Sequence, residues 1–219
     1  QIDLALKLAD AWDKVEQPEA AREGLEKVHR DQPEAEPIQK RLWTLYEQIG
    51  ATQELATMLL EKASQIEEVD ERFELLRRSG ELFNQSEEGA AMAVAPLEAA
   101  IRIRPDDHET IVALADAYIV AGQHEKAHQL LDAAIAANGN RRGPKPSELQ
   151  ARMAKLAAAA DDKQSQLRWL GIALESNKRD GYIAADLAQL AMELGDLETA
   201  FKALRVLTVS RRESSMSLA

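Results

Sequence analysis

The sequence predicts an all-α fold, an α-α superhelix of tandem antiparallel helix pairs, and three observations lead there. Hydrophobic residues make up 45% of the 219 residues while aromatics make up only 4%. Alanine and leucine therefore supply the apolar share, the mix of closely packed helices rather than of strands, which favour β-branched and aromatic side chains. The second observation is a recurring spacing. Leu8-Ala9-Asp10-Ala11-Trp12 returns as Leu114-Ala115-Asp116-Ala117-Tyr118, and each is followed by a polar turn, an alanine (Ala21, Ala127) and a leucine four residues on (Leu25, Leu131). Leu187-Ala188, Gly195, Ala200 and Leu204 repeat the spacing of Leu114-Ala115, Gly122, Ala127 and Leu131. The third is that turn signals fall between the implied helices: Gly50, Gly122 and Gly195 end first helices, and Pro33 and Pro105 follow second ones. Arg142-Gly143-Pro144-Lys145-Pro146 interrupts the period as a loop-forming insert, and Ser147, with Gln150 three residues later, reads as an N-cap.

These residues resemble the tetratricopeptide repeat (TPR) family, whose pattern is W-x2-L-G-x2-Y, then A-x3-F, then P. Threaded through that pattern, the chain is one TPR-like solenoid over 1–219, with units 2–35, 36–70, 71–107, 108–141, 147–180 and 181–214. Each pair needs a small residue where its backbones approach. First helices offer Ala9, Gly80, Ala115, Ala154 and Ala188, and second helices offer Ala21, Ala56, Ala93, Ala127 and Ala200. Larger residues three and four positions away, such as Leu114, Tyr118 and Leu131, form the buried stripe. Three units depart from the pattern. Trp43 occupies the small slot of the second, where the helices should splay. Gln166 replaces the alanine of the fifth. The third carries an acidic turn, Gln85-Ser86-Glu87-Glu88-Gly89.

Composition removes several function classes. A net charge of −11 lacks the basic footprint of nucleic-acid binding. No stretch approaches the ~18 uninterrupted apolar residues of a membrane-spanning helix. With no cysteine there is no disulfide, thiolate zinc site or cysteine nucleophile. His124-Glu125-Lys126-Ala127-His128 reads H-E-x-x-H, the zinc-hydrolase pattern. Ala127 is the repeat's own alanine, however, and the remaining histidines, His29 and His108, stand at no zinc-ligand spacing. The structural reading prevails over the metal-dependent hydrolase, and no cofactor, metal or catalytic residue is expected. The carboxylate pairs Glu67-Glu68, Asp106-Asp107 and Asp161-Asp162 fall at turns and helix starts, as caps or solvated charges. Arg77-Arg78, Arg141-Arg142 and Arg211-Arg212 are basic spots on an acidic surface.

The resemblance implies a non-catalytic scaffold that holds a peptide, a helix or a partner domain against the concave face lined by first helices. Inward slots of the N-terminal half carry Asp10, Asp13, Lys40, Thr44, Glu47, Arg77, Glu81 and Asn84, a polar lining of mixed sign. Those of the C-terminal half carry Val112, Ile119, Ala151, Ala158, Tyr182, Ala185 and Met192, with Asp116, Lys155 and Gln189 between them. The expected partner is an apolar helix or extended segment anchored near Ile119, Tyr182 and Met192, with Arg77 steering it. The set of asparagines and basic residues with which some TPR proteins clamp a C-terminal carboxylate is incomplete here. The last unit carries Phe201, Leu204, Val206 and Leu207 without a polar cap. The parent protein is therefore expected to continue past Ala219, and the segment to self-associate through its terminal units. An architectural spacer within a larger assembly is the other non-enzymatic reading.

Overall fold

The computed structural model describes residues 1–216, with side chains for all of these except Glu87 and residues 209–216. Among the described residues there are twelve α-helices and no strand. They run α1 (Ile2–Lys14), α2 (Pro18–Asp31), α3 (Glu36–Ile49), α4 (Thr52–Gln65), α5 (Val69–Phe83) and α6 (Glu87–Ile103), then α7 (His108–Val120), α8 (His124–Asn138), α9 (Pro144–Ala159), α10 (Lys163–Ser176), α11 (Gly181–Glu193) and α12 (Leu197–Met216). The helices gather into two compact units, Gln1–Ala100 and Ile101–Ala219, each with its own packed interior.

Helix ends follow from local chemistry. In each acidic doublet the second residue is the cap. Asp107 accepts from the Thr110 backbone N–H at 2.9 Å and Asp162 from Ser165 at 3.0 Å, while Glu68 accepts from Asp70 and Glu71. Satisfying these orphan donors stabilises a helix start by about 1 kcal/mol. The backbone N–H of Ser165 also holds the Asp162 carboxyl below its usual range, because that bond favours the ionised form. At the turns after first helices, Gly50, Gly122 and Gly195 have φ of 70°, 71° and 76°. An L side chain is strained in that left-handed region, which glycine enters freely.

The ten small slots are all buried, Ala9, Ala21, Ala56, Ala93, Ala115, Ala127, Ala154, Ala188 and Ala200 at no more than 3% exposure and Gly80 in contact with Leu97. Leu25, Leu42, Leu97, Leu114, Leu131 and Leu149 fill the layers beside them, each at 1% or less. Two buried serines tie first helices to second ones: Ser79 donates to the Ala56 carbonyl and Ser147 to the Ala173 carbonyl, both at 2.7 Å.

Several local expectations change. Ser147 is not an N-cap; it lies inside α9, which starts at Pro144 after Gly143. The insert is therefore only partly loop, because a proline at the first helical position has a favourable φ and no N–H to satisfy. Likewise, residues 87–89 of the expected acidic turn open α6. Trp43 does not fill its small slot but lies half-buried, donating Nε1–H to Glu47 at 3.1 Å with the Arg78 guanidinium 5.3 Å from its ring centre.

Two glycines should respond oppositely to substitution. A Cβ on Gly80 would overlap Leu97 Cγ, whereas one on Gly24, within α2, meets nothing within 4 Å. Gly80→Val is expected to destabilise unit 1 by about 1–3 kcal/mol through overpacking. Gly24→Ala should stabilise it by about 0.5–1 kcal/mol through backbone entropy. Urea unfolding of both variants, read as midpoint shifts of opposite sign, checks the assignment.

Candidate functional site

In the second unit, the first helices α7, α9 and α11 and the start of α10 enclose a cleft of about 510 Å³. Its floor is low because alanines stand where larger side chains would fill it. Ala151, Ala154 and Ala158 run along α9 at helical spacing, flanked by Leu170, Ile183 and Leu190. The rim is charged and balanced in sign, with Arg152, Lys155 and Lys163 opposite Asp116, Asp186 and Glu193.

Helix register positions these charges. Asp116 follows the Ala115 slot of α7, and from there it accepts from Lys155 at 2.7 Å and from Arg152 at 3.2 Å, both on α9. Arg152 also faces Glu148 at 3.6 Å, and Glu148 meets the His108 ring at 2.9 Å. At the far side, Lys163 of α10 faces Glu193 at 3.4 Å, and Gln189 donates to the same carboxylate at 3.3 Å. Asp186 is exposed on the rim and has no such partner among the described residues.

The cleft brings together Asp116, Lys155, Ala158 and Gln189 of the expected residues, with Ala151 beside them. It does not include the three expected anchors. Val112 and Ile119 are buried, at 8% and 6% exposure, and offer no surface to a partner. The reason lies in α7 itself: Thr110, Ile111, Val112, Leu114, Ala115, Ala117, Tyr118 and Ile119 are all buried, so the helix is covered nearly all round. A helix apolar on every side is an interior helix. Tyr182 and Met192 are exposed, at 89% and 52%, but neither lines the cleft.

In the first unit Lys40, Thr44 and Arg77, of the expected polar residues, are bound within their own helices. Lys40 is exposed and faces Glu36 at 3.7 Å, and the Thr44 hydroxyl donates to the Lys40 carbonyl at 3.2 Å. Arg77 is half-buried between Glu74, at 2.9 Å, and Glu81, at 2.8 Å, so its charge is compensated within α5. Tyr46 donates its hydroxyl to Glu26 at 3.0 Å; burial, reinforced by that carboxylate, pushes the phenol well above its ordinary range.

Arg152, Lys163, Asp186 and Glu193 are cleft residues that sequence reasoning did not select. A register signal existed for the first. Arg41, Arg78 and Arg152 each stand two residues before the first-helix slot, and each reaches an acid on the preceding first helix. Arg41 meets Asp10 at 3.4 Å and also Asp13, Arg78 meets Glu47, and Arg152 meets Asp116. Partly exposed pairs of this kind contribute on the order of 1 kcal/mol each, so they align neighbouring helices more than they stabilise them.

The H-E-x-x-H segment forms the first turns of α8. Ala127 is buried at 0% in its slot, and the exposed His128 turns Nδ1 toward Asp132 at 3.1 Å. Among the described residues, no group of three or more His, Asp or Glu side chains is placed to hold a metal ion. The Arg211-Arg212 pair lies outside the described side chains. His124→Ala combined with His128→Ala is expected to change stability by less than about 0.5 kcal/mol. Zinc measured by atomic absorption should stay well below one equivalent in wild type and variant alike.

The family model for the tetratricopeptide repeat matches residues 90–156. No curated protein matches the chain in sequence. Among solved structures, a tetratricopeptide repeat protein from Parabacteroides merdae aligns with a TM-score of 0.59 at 15% identity, covering 95% of this chain and 79% of that one. A thermophilic TPR protein of Thermus thermophilus aligns at 0.51 and 16% identity, covering 88% and 100%. YrrB, a TPR protein with an unusual peptide-binding site, aligns at 0.55 and 16% identity, covering 84% and 90%. At such identities these structures speak to fold alone, and the fold agrees with the matched segment. Twelve helices in repeat arrangement among the described residues, with their buried small slots, give this chain the fold of the tetratricopeptide-repeat solenoids, and residues 90–156 match that family's model.

Proposed function

We propose that the chain is a non-catalytic scaffold whose second unit holds a peptide or helix of a protein partner in the cleft between α7, α9 and α11. The TPR fold supports a protein-interaction scaffold in general. The observation that carries the more specific reading is the alanine floor. Three alanines one helical turn apart leave a trough of about 510 Å³ that side chains of this unit do not fill. Apolar walls with a few placed polar groups are the usual make-up of a binding cleft.

The rim narrows the chemistry of the occupant. Asp116 is matched by Arg152 and Lys155, and Glu193 by Lys163, while Asp186 has no partner among the described residues. A segment with one apolar side chain for the floor and a basic residue for Asp186 satisfies the site without leaving a buried charge. YrrB is described as having a peptide-binding site, and the same class of ligand suits this cleft. The anchors lie in the alanine trough, not at Ile119, where an acid would break the core instead of reporting on binding.

Panning a displayed peptide library on the chain tests this reading. Recovered peptides are expected to be enriched in arginine or lysine near an apolar residue. Their affinity should fall at least about tenfold, or 1.4 kcal/mol, with Ala158→Glu and again with Asp186→Lys. Tyr182→Ala, outside the cleft, should leave it unchanged. Peptides that bind all three variants equally would place the interaction site elsewhere.

A further inference from the structure

The interface between α10 and α11 joins Leu167, Leu170 and Ala173 on one helix to Ile183, Ala184 and Leu187 on the other. The same registers recur on the first and last helices of the chain, but uncovered. Counted from the slot residue, Leu4, Ala5 and Leu8 of α1 correspond to Ile183, Ala184 and Leu187. Ile183 and Leu187 are 8% and 4% exposed, while Leu4 and Leu8 are 72% and 50% exposed. On α12, Phe201, Leu204 and Leu207 correspond to Leu167, Leu170 and Ala173. Phe201 is 65% exposed and Leu204 41%.

Elsewhere the leucine registers are mostly closed, with Leu60 partly exposed, while the register of Phe201 is also exposed at Thr57 and His128. The leucine four residues after the second-helix slot is 1%, 0%, 0% and 5% exposed at Leu25, Leu97, Leu131 and Leu170. The residue before the first-helix slot is at most 4% exposed at Leu42, Ser79, Leu114, Met153 and Leu187. The chain thus presents both halves of an interface that it assembles internally: the second-helix half on α12 and the first-helix half on α1.

Charge follows the same register. Arg41, Arg78 and Arg152 each bridge to an acid on the preceding first helix, and the equivalent residue of α1 is Lys7. Lys7 is exposed and meets Asp3, one turn away on its own helix, at 2.8 Å. On α11 the exposed Glu193 stands one residue past the register of Asp13 and Glu47, the acids that receive Arg41 and Arg78.

We propose that the partner of these two faces is a second copy of this chain, joined head to tail: the Leu4–Leu8 face of α1 in one copy seats on Phe201 and Leu204 of α12 in the next, with Lys7 reaching toward Glu193. Such a contact is heterologous, so each copy still offers one free half, and assembly proceeds to a ring or a filament. It uses neither Ala158 nor Asp186, and Glu193 on the rim is the one cleft residue it touches.

Sedimentation velocity on the 219-residue chain, with Leu8→Asp and Leu204→Asp variants, tests the proposal. Wild type should grow in mass with concentration. Each variant alone should stay monomeric, because each has lost one half of the contact. Mixed in equal amounts, the two should form a one-to-one dimer and nothing larger, since the intact α12 face of one accepts the intact α1 face of the other. Both positions are exposed, so thermal melts should match wild type; if either melt shifts, Leu8→Gln and Leu204→Gln replace the pair under the same criteria. A wild type that stays monomeric, a single variant that still associates, or a mixture that remains monomeric overturns the head-to-tail contact.

Discussion

Where the two helices of a pair cross, their backbones come so close that little beyond a methyl group fits between them, and every other feature of this chain is arranged around that approach. At Gly80 even a methyl is too much, because Leu97 Cγ already occupies the space where it would stand. The small residue fixes the depth of the crossing, the crossing fixes which neighbours interlock, and the buried leucines beside it remove the apolar area. Magnitudes rank the contributions. Overpacking such a slot costs about 1–3 kcal/mol, while the partly exposed arginine–carboxylate pairs contribute on the order of 1 kcal/mol each. Packing decides that the pairs form, and the ion pairs select how successive first helices align.

The cleft is a by-product of the same constraint. Where α9 repeats alanine beyond its slot, at Ala151 and Ala158, the surface dips between α7 and α11, and the alignment charges of Asp116, Arg152 and Lys155 become its rim. A scaffold of this kind gains a binding trough without devoting a separate element to it. The polar groups are already oriented by their mutual contacts, which lowers the ordering cost of binding.

The repeated interface also accounts for what is exposed. A helix pair in a stack buries its stripe only against its neighbours. Leu170 is covered because α11 lies on it; Leu204, in the same register, has no such neighbour among the described residues. The difference between a core leucine and a surface leucine here is therefore position in the stack and not side-chain chemistry.

By itself the sequence determined most of the helices, slots and caps, the exceptions being Trp43, Ser147 and the start of α6. These rest on short-range rules: a period of 3.6 along each helix, small residues at fixed spacing, and glycines such as Gly122 whose φ of 71° other residues avoid. Ala127 could be assigned to a slot, and H-E-x-x-H to a helix start, from spacing alone. Only the tertiary structure decided which inward positions stay open. Val112 and Ile119 occupy the register of groove residues, but α7 is enclosed almost all round, and how far neighbouring helices close over a face depends on the sizes of side chains on several helices at once. For the same reason the cleft's charged rim was hidden. Arg152 and Asp116 are 36 residues apart, and their 3.2 Å contact exists only because two first helices, each set by its own slot, lie side by side.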